Sequence, residues 1–136
     1  MRILGIDYGD ARTGVAVSDA LGWTAQPIGQ FASWNEEKLL EIIGERIEQY
    51  QVEKIVLGFP KNMNGSIGER GEKTKLFAER LKNSFGLEVV LWDERLTTVA
   101  SHRILSECNV RGEKRKKQVD TLSAELILQG YLDSLK

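Results

Sequence analysis

The chain has 136 residues, 41% of them hydrophobic and 29% charged, with a formal net charge of −1. That length fits one domain with a sizeable core, and the composition is that of an ordinary soluble globular protein. No apolar run nears the ~20 residues that span a bilayer and no signal-peptide apolar stretch opens the chain, so no membrane partner is expected. The one cysteine, Cys108, cannot form an internal disulfide, which fits a reducing compartment and predicts a cytoplasmic location. With His102 as the sole histidine, an activated thiol is disfavoured and Cys108 reads as a small apolar filler.

The first stretch, Arg2 to Asp19, holds two strand-like apolar runs around the Gly-rich turn Tyr8-Gly9-Asp10-Ala11-Arg12, the pattern of a β-hairpin. Asp7 interrupts the first run where an apolar residue is expected, and a carboxylate there needs a partner: an arginine, backbone amides or a metal ion. Trp23 to Phe31 reads as a third strand, which Pro27 assigns to an edge. Ser33-Trp34-Asn35-Glu36 has the spacing of a capping box, and Leu39, Leu40, Ile43, Ile47 and Tyr50 follow with helical periodicity. Lys54 to Phe59 reads as a strand buried on both faces.

Pro60 to Arg70 is a loop by composition. A helix follows, with Leu76, Phe77, Leu81 and Phe85 expected on its buried side and Gly86 as its stop. Leu87 to Trp92 is a further strand that delivers Asp93-Glu94-Arg95 at its end. Thr97 or Thr98 can cap a short helix through about Glu107. The last helix is expected from about Lys114 to Leu135.

Three strands joined by short turns, then strands alternating with helices, predict an α/β fold: a mixed five-stranded sheet, its first three strands antiparallel, with helices on both faces. In such sheets ligands bind at the carboxyl ends of strands. Asp7, Asp93-Glu94 and Asp120 fall where this topology brings them together, and three converging carboxylates suit a divalent cation. There is no Cys/His cluster for zinc. Although the net charge does not announce a nucleic-acid binder, the stretch from Arg103 to Gln118 holds six basic residues (Arg103, Arg111, Lys114, Arg115, Lys116, Lys117) against two acidic ones (Glu107, Glu113). Such a local stripe is what phosphate contact needs, although a solvated helix start is the plain alternative.

Gly5-Ile6-Asp7-Tyr8-Gly9-Asp10-Ala11-Arg12-Thr13-Gly14, Leu57-Gly58-Phe59-Pro60-Lys61-Asn62-Met63-Asn64-Gly65, Trp92-Asp93-Glu94-Arg95-Leu96-Thr97-Thr98 and the basic run followed by Asp120 and Ala124 together resemble the YqgF (RuvX) family of Holliday-junction-resolvase-like nucleases. The blocks follow in order over nearly the whole chain. The resemblance implies a single ribonuclease-H-like nuclease domain over residues 1–136, metal-dependent phosphodiester hydrolysis, and maturation of the 5′ end of precursor 16S rRNA. Carried over, it makes Asp7, Glu94 and Asp120 the acidic triad, and Asn62, Asn64, Arg70 and the basic segment the nucleic-acid-facing parts. Asp93 adjoins Glu94, so the residues leave open which of the two is the ligand.

The chemistry agrees. Phosphodiester hydrolysis needs a water activated near neutral pH and relief of phosphate charge, and two Mg²⁺ or Mn²⁺ ions on carboxylate ligands would supply both. Arg12, Arg70, Arg95, Lys114, Arg115, Lys116 and Lys117 could hold the sugar-phosphate backbone beside the cut, while Trp23 and Trp92 read as core residues. The substrate class stays open between pre-rRNA and branched DNA, and a junction cutter would act as a homodimer. Two rivals remain. In actin-like ATPases and sugar kinases an Asp-x-Gly-Thr hairpin grips ATP, but here Asp10 would repel phosphate where the hydroxyl should bind it. The other rival is an RNA-binding ribosome-assembly module on a dead nuclease fold, against which the retained carboxylates argue.

Overall fold

The computed structural model describes residues 2–60, 68–93 and 112–135, with side chains described from 123 onward in the last stretch. Strands β1 (Arg2–Tyr8) and β2 (Arg12–Ser18) form the expected hairpin, with Leu4 opposite Val17 and Asp7 opposite Gly14. Strand β3 (Ala25–Ala32) pairs antiparallel with β2, and the register shifts between Val15 and Ala16, opposite the segment that carries Pro27. Strands β4 (Val52–Phe59) and β5 (Glu88–Asp93) join in parallel, giving the order β3-β2-β1-β4-β5. Pro27 thus lies on an edge strand, where its missing N–H costs no inner ladder bond. The mixed five-stranded sheet is the one expected from the alternation of elements.

Helices α1 (Glu36–Tyr50) and α2 (Glu69–Phe85) cover one face, where Leu4, Ile6, Val15, Val17, Ile55 and Leu57 meet Leu39, Ile43, Phe77 and Leu81. Helix α3 (Gly112–Ser134) covers the other, packing Ala124, Ile127, Leu128 and Leu132 on Ile3, Ala16 and Val56. Each fully buried Leu, Ile or Phe contributes about 1.5–3 kcal/mol, so the two faces together hold the crossovers in place. The short helix expected from Thr97 or Thr98 lies outside the described residues.

Four local expectations are corrected. The cap of α1 is Asn35, whose Oδ1 accepts the Lys38 N–H at 3.1 Å. Ser33 still belongs to the end of the sheet: its N–H donates to the Ala11 carbonyl, and its hydroxyl lies 2.7 Å from that of Thr13, both side chains buried. Helix α2 begins at Glu69, inside the segment read as loop. Its buried stripe is Gly71, Thr74, Phe77, Ala78 and Leu81, and Leu76 is 68% exposed. One residue is 100° of helix, which turns Leu76 away from the side that Phe77 occupies. Of the two tryptophans read as core, Trp92 packs edge-on to Tyr131 with ring centroids 6.0 Å apart, while Trp23 is 61% exposed.

Helix α3 lies close on the sheet because small residues permit it. A Cβ built on Gly5 would sit 2.7 Å from the Leu128 Cβ and 3.1 Å from the Ala124 carbonyl oxygen. Neither is the movable tip of a side chain, so the helix itself would have to shift. Gly5→Ala is expected to lower the unfolding free energy by about 1–3 kcal/mol, read as a lower urea midpoint with an unchanged m value.

Candidate active site

The carboxyl ends of β1, β4 and β5 lie side by side, with Ile6, Leu57 and Leu91 aligned across them. Asp7 follows at the open end of β1. Alternation along the strand sets its side: Leu4 and Ile6 enter the α1/α2 core, Ile3 packs under α3, and Gly5 touches Leu128. Asp7 therefore belongs to the α3 face. It is partly buried, and among the described residues no cation or hydrogen-bond donor pairs with its carboxylate. The pairing of Asp7 with an arginine does not form among the described residues, and Arg12 is exposed at the start of β2.

The same alternation separates Asp93 from Asp7. Trp92 packs with Tyr131 on the α3 face, so Asp93, the next residue and the partner of Phe59 in the ladder, belongs to the α2 face. Helix α3 runs opposite to β1. Its Ala124 and Leu128 lie over Gly5, while the Tyr131 hydroxyl accepts from Lys54 Nζ at 3.1 Å, level with Ile3. Position 120, one turn before Ala124, is thus displaced about 6 Å along the helix toward the strand end that carries Asp7. The basic positions Lys114, Arg115, Lys116 and Lys117 occupy the first turns of the same helix.

The side chains of Lys114, Arg115, Lys116, Lys117 and Asp120, and all of Asn62, Asn64, Glu94 and Arg95, lie outside the described residues. Among the described residues no three acidic, histidine or cysteine side chains gather at metal-binding distance. Arg70 is described: at the start of α2, its Nη2 donates to the Tyr8 carbonyl at 3.3 Å, which puts this cation at the edge that bears Asp7.

Sequence reasoning passed over the residues that hold the hairpin tip. Gly9 is required there, since a Cβ would meet the Arg12 carbonyl oxygen at 2.5 Å. Tyr8 stacks on Phe77 with ring centroids 4.0 Å apart and planes 5° from parallel. Burial, and then the nearby Glu36 and Asp10 carboxylates, push the Tyr8 phenol above its ordinary pKa, so it is neutral at pH 7. Asp10 is met by Lys73 at 3.8 Å, where a nucleotide-gripping hairpin would offer phosphate a hydroxyl. The available signal was the spacing of Arg70, Lys73 and Phe77, which places all three on one side of a helix.

A mixed five-stranded sheet of order β3-β2-β1-β4-β5, with its first three strands antiparallel and helices on both faces, is the ribonuclease-H-like fold. Solved structures agree. Thermus thermophilus RuvC in complex with a Holliday junction substrate superposes with a TM-score of 0.62 at 11% identity, over 98% of this chain and 97% of that one. The fowlpox virus Holliday junction resolvase gives 0.57 at 16% identity over the whole of both chains. At such identities the likeness is one of fold. The chain belongs to the RuvX family, described as Holliday junction resolvase, whose family model matches residues 1–134. A relative from Bacillus subtilis, described as a candidate pre-16S rRNA nuclease, is 51% identical over 138 residues, covering 99% of each chain.

Helix α3 carries one further carboxylate of note. Burial raises the Glu125 pKa above its ordinary 4.5. A raised carboxyl pKa means that the folded state binds the proton more tightly than the unfolded one. Its stabilising effect is present below the unfolded pKa and is lost as pH rises through the folded value. Glu125→Gln is therefore expected to raise the melting temperature at pH 7 and to leave it nearly unchanged near pH 3.

Proposed function

We propose that this protein is a metal-dependent endonuclease of structured nucleic acid, that Asp7, Glu94 and Asp120 hold Mg²⁺ or Mn²⁺, two ions in all, and that its substrate is the 5′ end of precursor 16S rRNA. The observation that carries the reading is Asp7, a partly buried carboxylate at the carboxyl end of a central strand with no counter-charge among the described residues. A partly buried carboxylate without a counter-charge has lost some of its water and gained no partner, which makes it a ready ligand for a cation. The donor set fits a hard divalent ion, being all carboxylate oxygen with no thiolate or imidazole. The opposite facing of Asp93 favours Glu94 as the β5 ligand.

Bound there, such ions would relieve charge on the scissile phosphate and lower the pKa of a water. The chain's own residues do the rest. Strand β1 carries the Asp7 carboxylate to the sheet end, where β2 pairs with Asp7. Arg12, Arg70 and Arg95 hold phosphates beside the cut, with Asn62 and Asn64 contacting the nucleotide chain. Lys114, Arg115, Lys116 and Lys117 stand in the first turns of α3, where the helix dipole disfavours cations. Four of them at that end cost helix stability, and together with the helix amides they make an anion-attracting surface. Residues 1–136 act as one nuclease domain in the cytoplasm, with the ribosomal precursors. Among the described residues no helix is long and apolar enough to cross a membrane. The 51% identity with the relative described by its pre-16S rRNA role supports the RNA substrate.

The family description supports a second reading, cleavage of four-way DNA junctions, which would require two copies to make paired cuts. One assay separates the two: equal amounts of precursor rRNA and of a four-way junction, with Mg²⁺, Mn²⁺ or chelator. Cleavage of the rRNA precursor at its 5′ side is the expected result, and metal-independent or absent cleavage of both would sink the nuclease mechanism.

Asp7→Asn keeps the shape of the side chain and removes its charge. Cleavage is expected to fall about 100-fold or more, equivalent to about 2.7 kcal/mol of transition-state stabilisation. Metal-free stability should hold or rise as a repelling charge leaves. A marked loss of metal-free stability, with unchanged cleavage per folded molecule, would make Asp7 structural. Replacing Lys114, Arg115, Lys116 and Lys117 by Ala should weaken RNA binding and flatten its salt dependence, by about 0.7–0.9 in log–log slope for each phosphate that is no longer neutralised. Thermal stability should hold or rise, because four cations leave the amino end of the helix.

A further inference from the structure

The ladder between β1 and β4 ends at Ile6 opposite Leu57, one residue short of Asp7. On the β2 side the ladder continues through Asp7–Gly14 and Tyr8–Thr13. The last two residues of β1 are thus held by a neighbouring strand on one flank only. On the α2 face a helix supplies the missing support. Arg70 donates to the Tyr8 carbonyl at 3.3 Å, Lys73 reaches Asp10 at 3.8 Å, and the Phe77 ring stacks on Tyr8 at 4.0 Å. The first two contacts are exposed and contribute little. Phe77 is fully buried, which makes the ring stack the firm anchor.

Adjacent strand residues project to opposite faces, so Tyr8 on the α2 face and Asp7 on the α3 face share one peptide plane. The rigid peptide unit fixes the separation of their Cα atoms, so anchoring the Tyr8 Cα through its ring restricts where the Asp7 Cα can lie. We infer that the Tyr8–Phe77 stack is a positioning device for Asp7: α2 grips Tyr8 from behind the sheet and thereby sets the direction of the carboxylate that meets the metal ion in front. This rests on the metal reading above. Tyr8 is a positioning residue rather than a catalytic one, and its ring, not its hydroxyl, does the holding.

Mn²⁺ binding to the full chain, measured by titration without nucleic acid, tests this apart from cleavage. Supporting a ligand from behind is worth about 10- to 100-fold in metal affinity. Tyr8→Leu, which keeps an apolar side chain and removes the ring, should bind Mn²⁺ about tenfold more weakly or worse, while Tyr8→Phe stays within about twofold of the unaltered chain. Tyr8→Met, a flexible chain that fills the same space, serves if Tyr8→Leu does not fold and should show the same loss. Ile43→Val trims the α1 core away from the stack and controls for stability; its affinity should not change. The inference is overturned if Tyr8→Leu or Tyr8→Met binds as tightly as the unaltered chain. It is equally overturned if Tyr8→Phe is as weak as Tyr8→Leu, or if Ile43→Val loses as much. Failure of the unaltered chain to bind Mn²⁺, or equal binding by Asp7→Asn, would overturn the metal reading itself and the positioning role with it.

Discussion

The close approach of α3 to β1 at Gly5 is the contact on which the proposed site depends. With no side chain at Gly5, the Ala124–Leu128 turn settles onto the strand, and Ala124, Ile127 and Leu128 become fully buried. A β-carbon at that position would collide with the Leu128 Cβ and crowd the Ala124 carbonyl oxygen, so the separation of helix and sheet is set by an absence. That separation fixes how near the turn before Ala124 comes to the end of β1. The carboxylates proposed to share metal ions come from remote parts of the chain, and this packing is what can bring a helical one to a strand-borne one.

The opposite end of α3 is secured by different means. Lys54 on β4 donates to the Tyr131 hydroxyl at 3.1 Å and pairs with Glu88 on β5 at the same distance. The Tyr131 hydrogen bond, and then the Glu88 one, raise the Lys54 pKa, which keeps the cation charged throughout the physiological range. Gln129 adds a bridge to β3, accepting from the Ala25 N–H and donating to the Trp23 carbonyl, both at 3.0 Å. The helix is therefore tied to both flanks of the sheet at its carboxyl end, and apolar packing over β1 carries the middle. These polar ties hold the carboxyl end of the helix against slipping along the strand.

The position of Asp7 also explains how a carboxylate survives in a run of apolar residues. Leu4 and Ile6 are fully buried, whereas Asp7 and Tyr8 are only partly so, because the strand emerges from its cover at that point. Water can still reach the carboxylate, which lowers the desolvation cost that an interior position would impose.

Much of this was legible in the residues. The hairpin, the edge position of β3, the parallel strands and the covering of both faces follow from period-two and helical patterns and from Pro27, all of which act over a few residues. Asp7 stood out as a charge inside an apolar run. The local misreadings had local causes: Ser33 has a capping residue's chemistry, but the sheet claims it through Thr13 and Ala11, and Leu76 is apolar yet sits one residue out of phase with the stripe that Phe77 defines. Trp23 looked like core only because it is large. What tertiary structure alone decided was facing and proximity. That Asp93 and Asp7 lie on opposite faces depends on the register between strands that are far apart in the chain. That Phe77 stands behind Tyr8, and that α3 rests on Gly5, depends on how two helices dock, which no periodicity within either helix specifies. Patterns along a chain determine which side of an element is apolar; which residues meet across the sheet is determined by the packing of all the elements together.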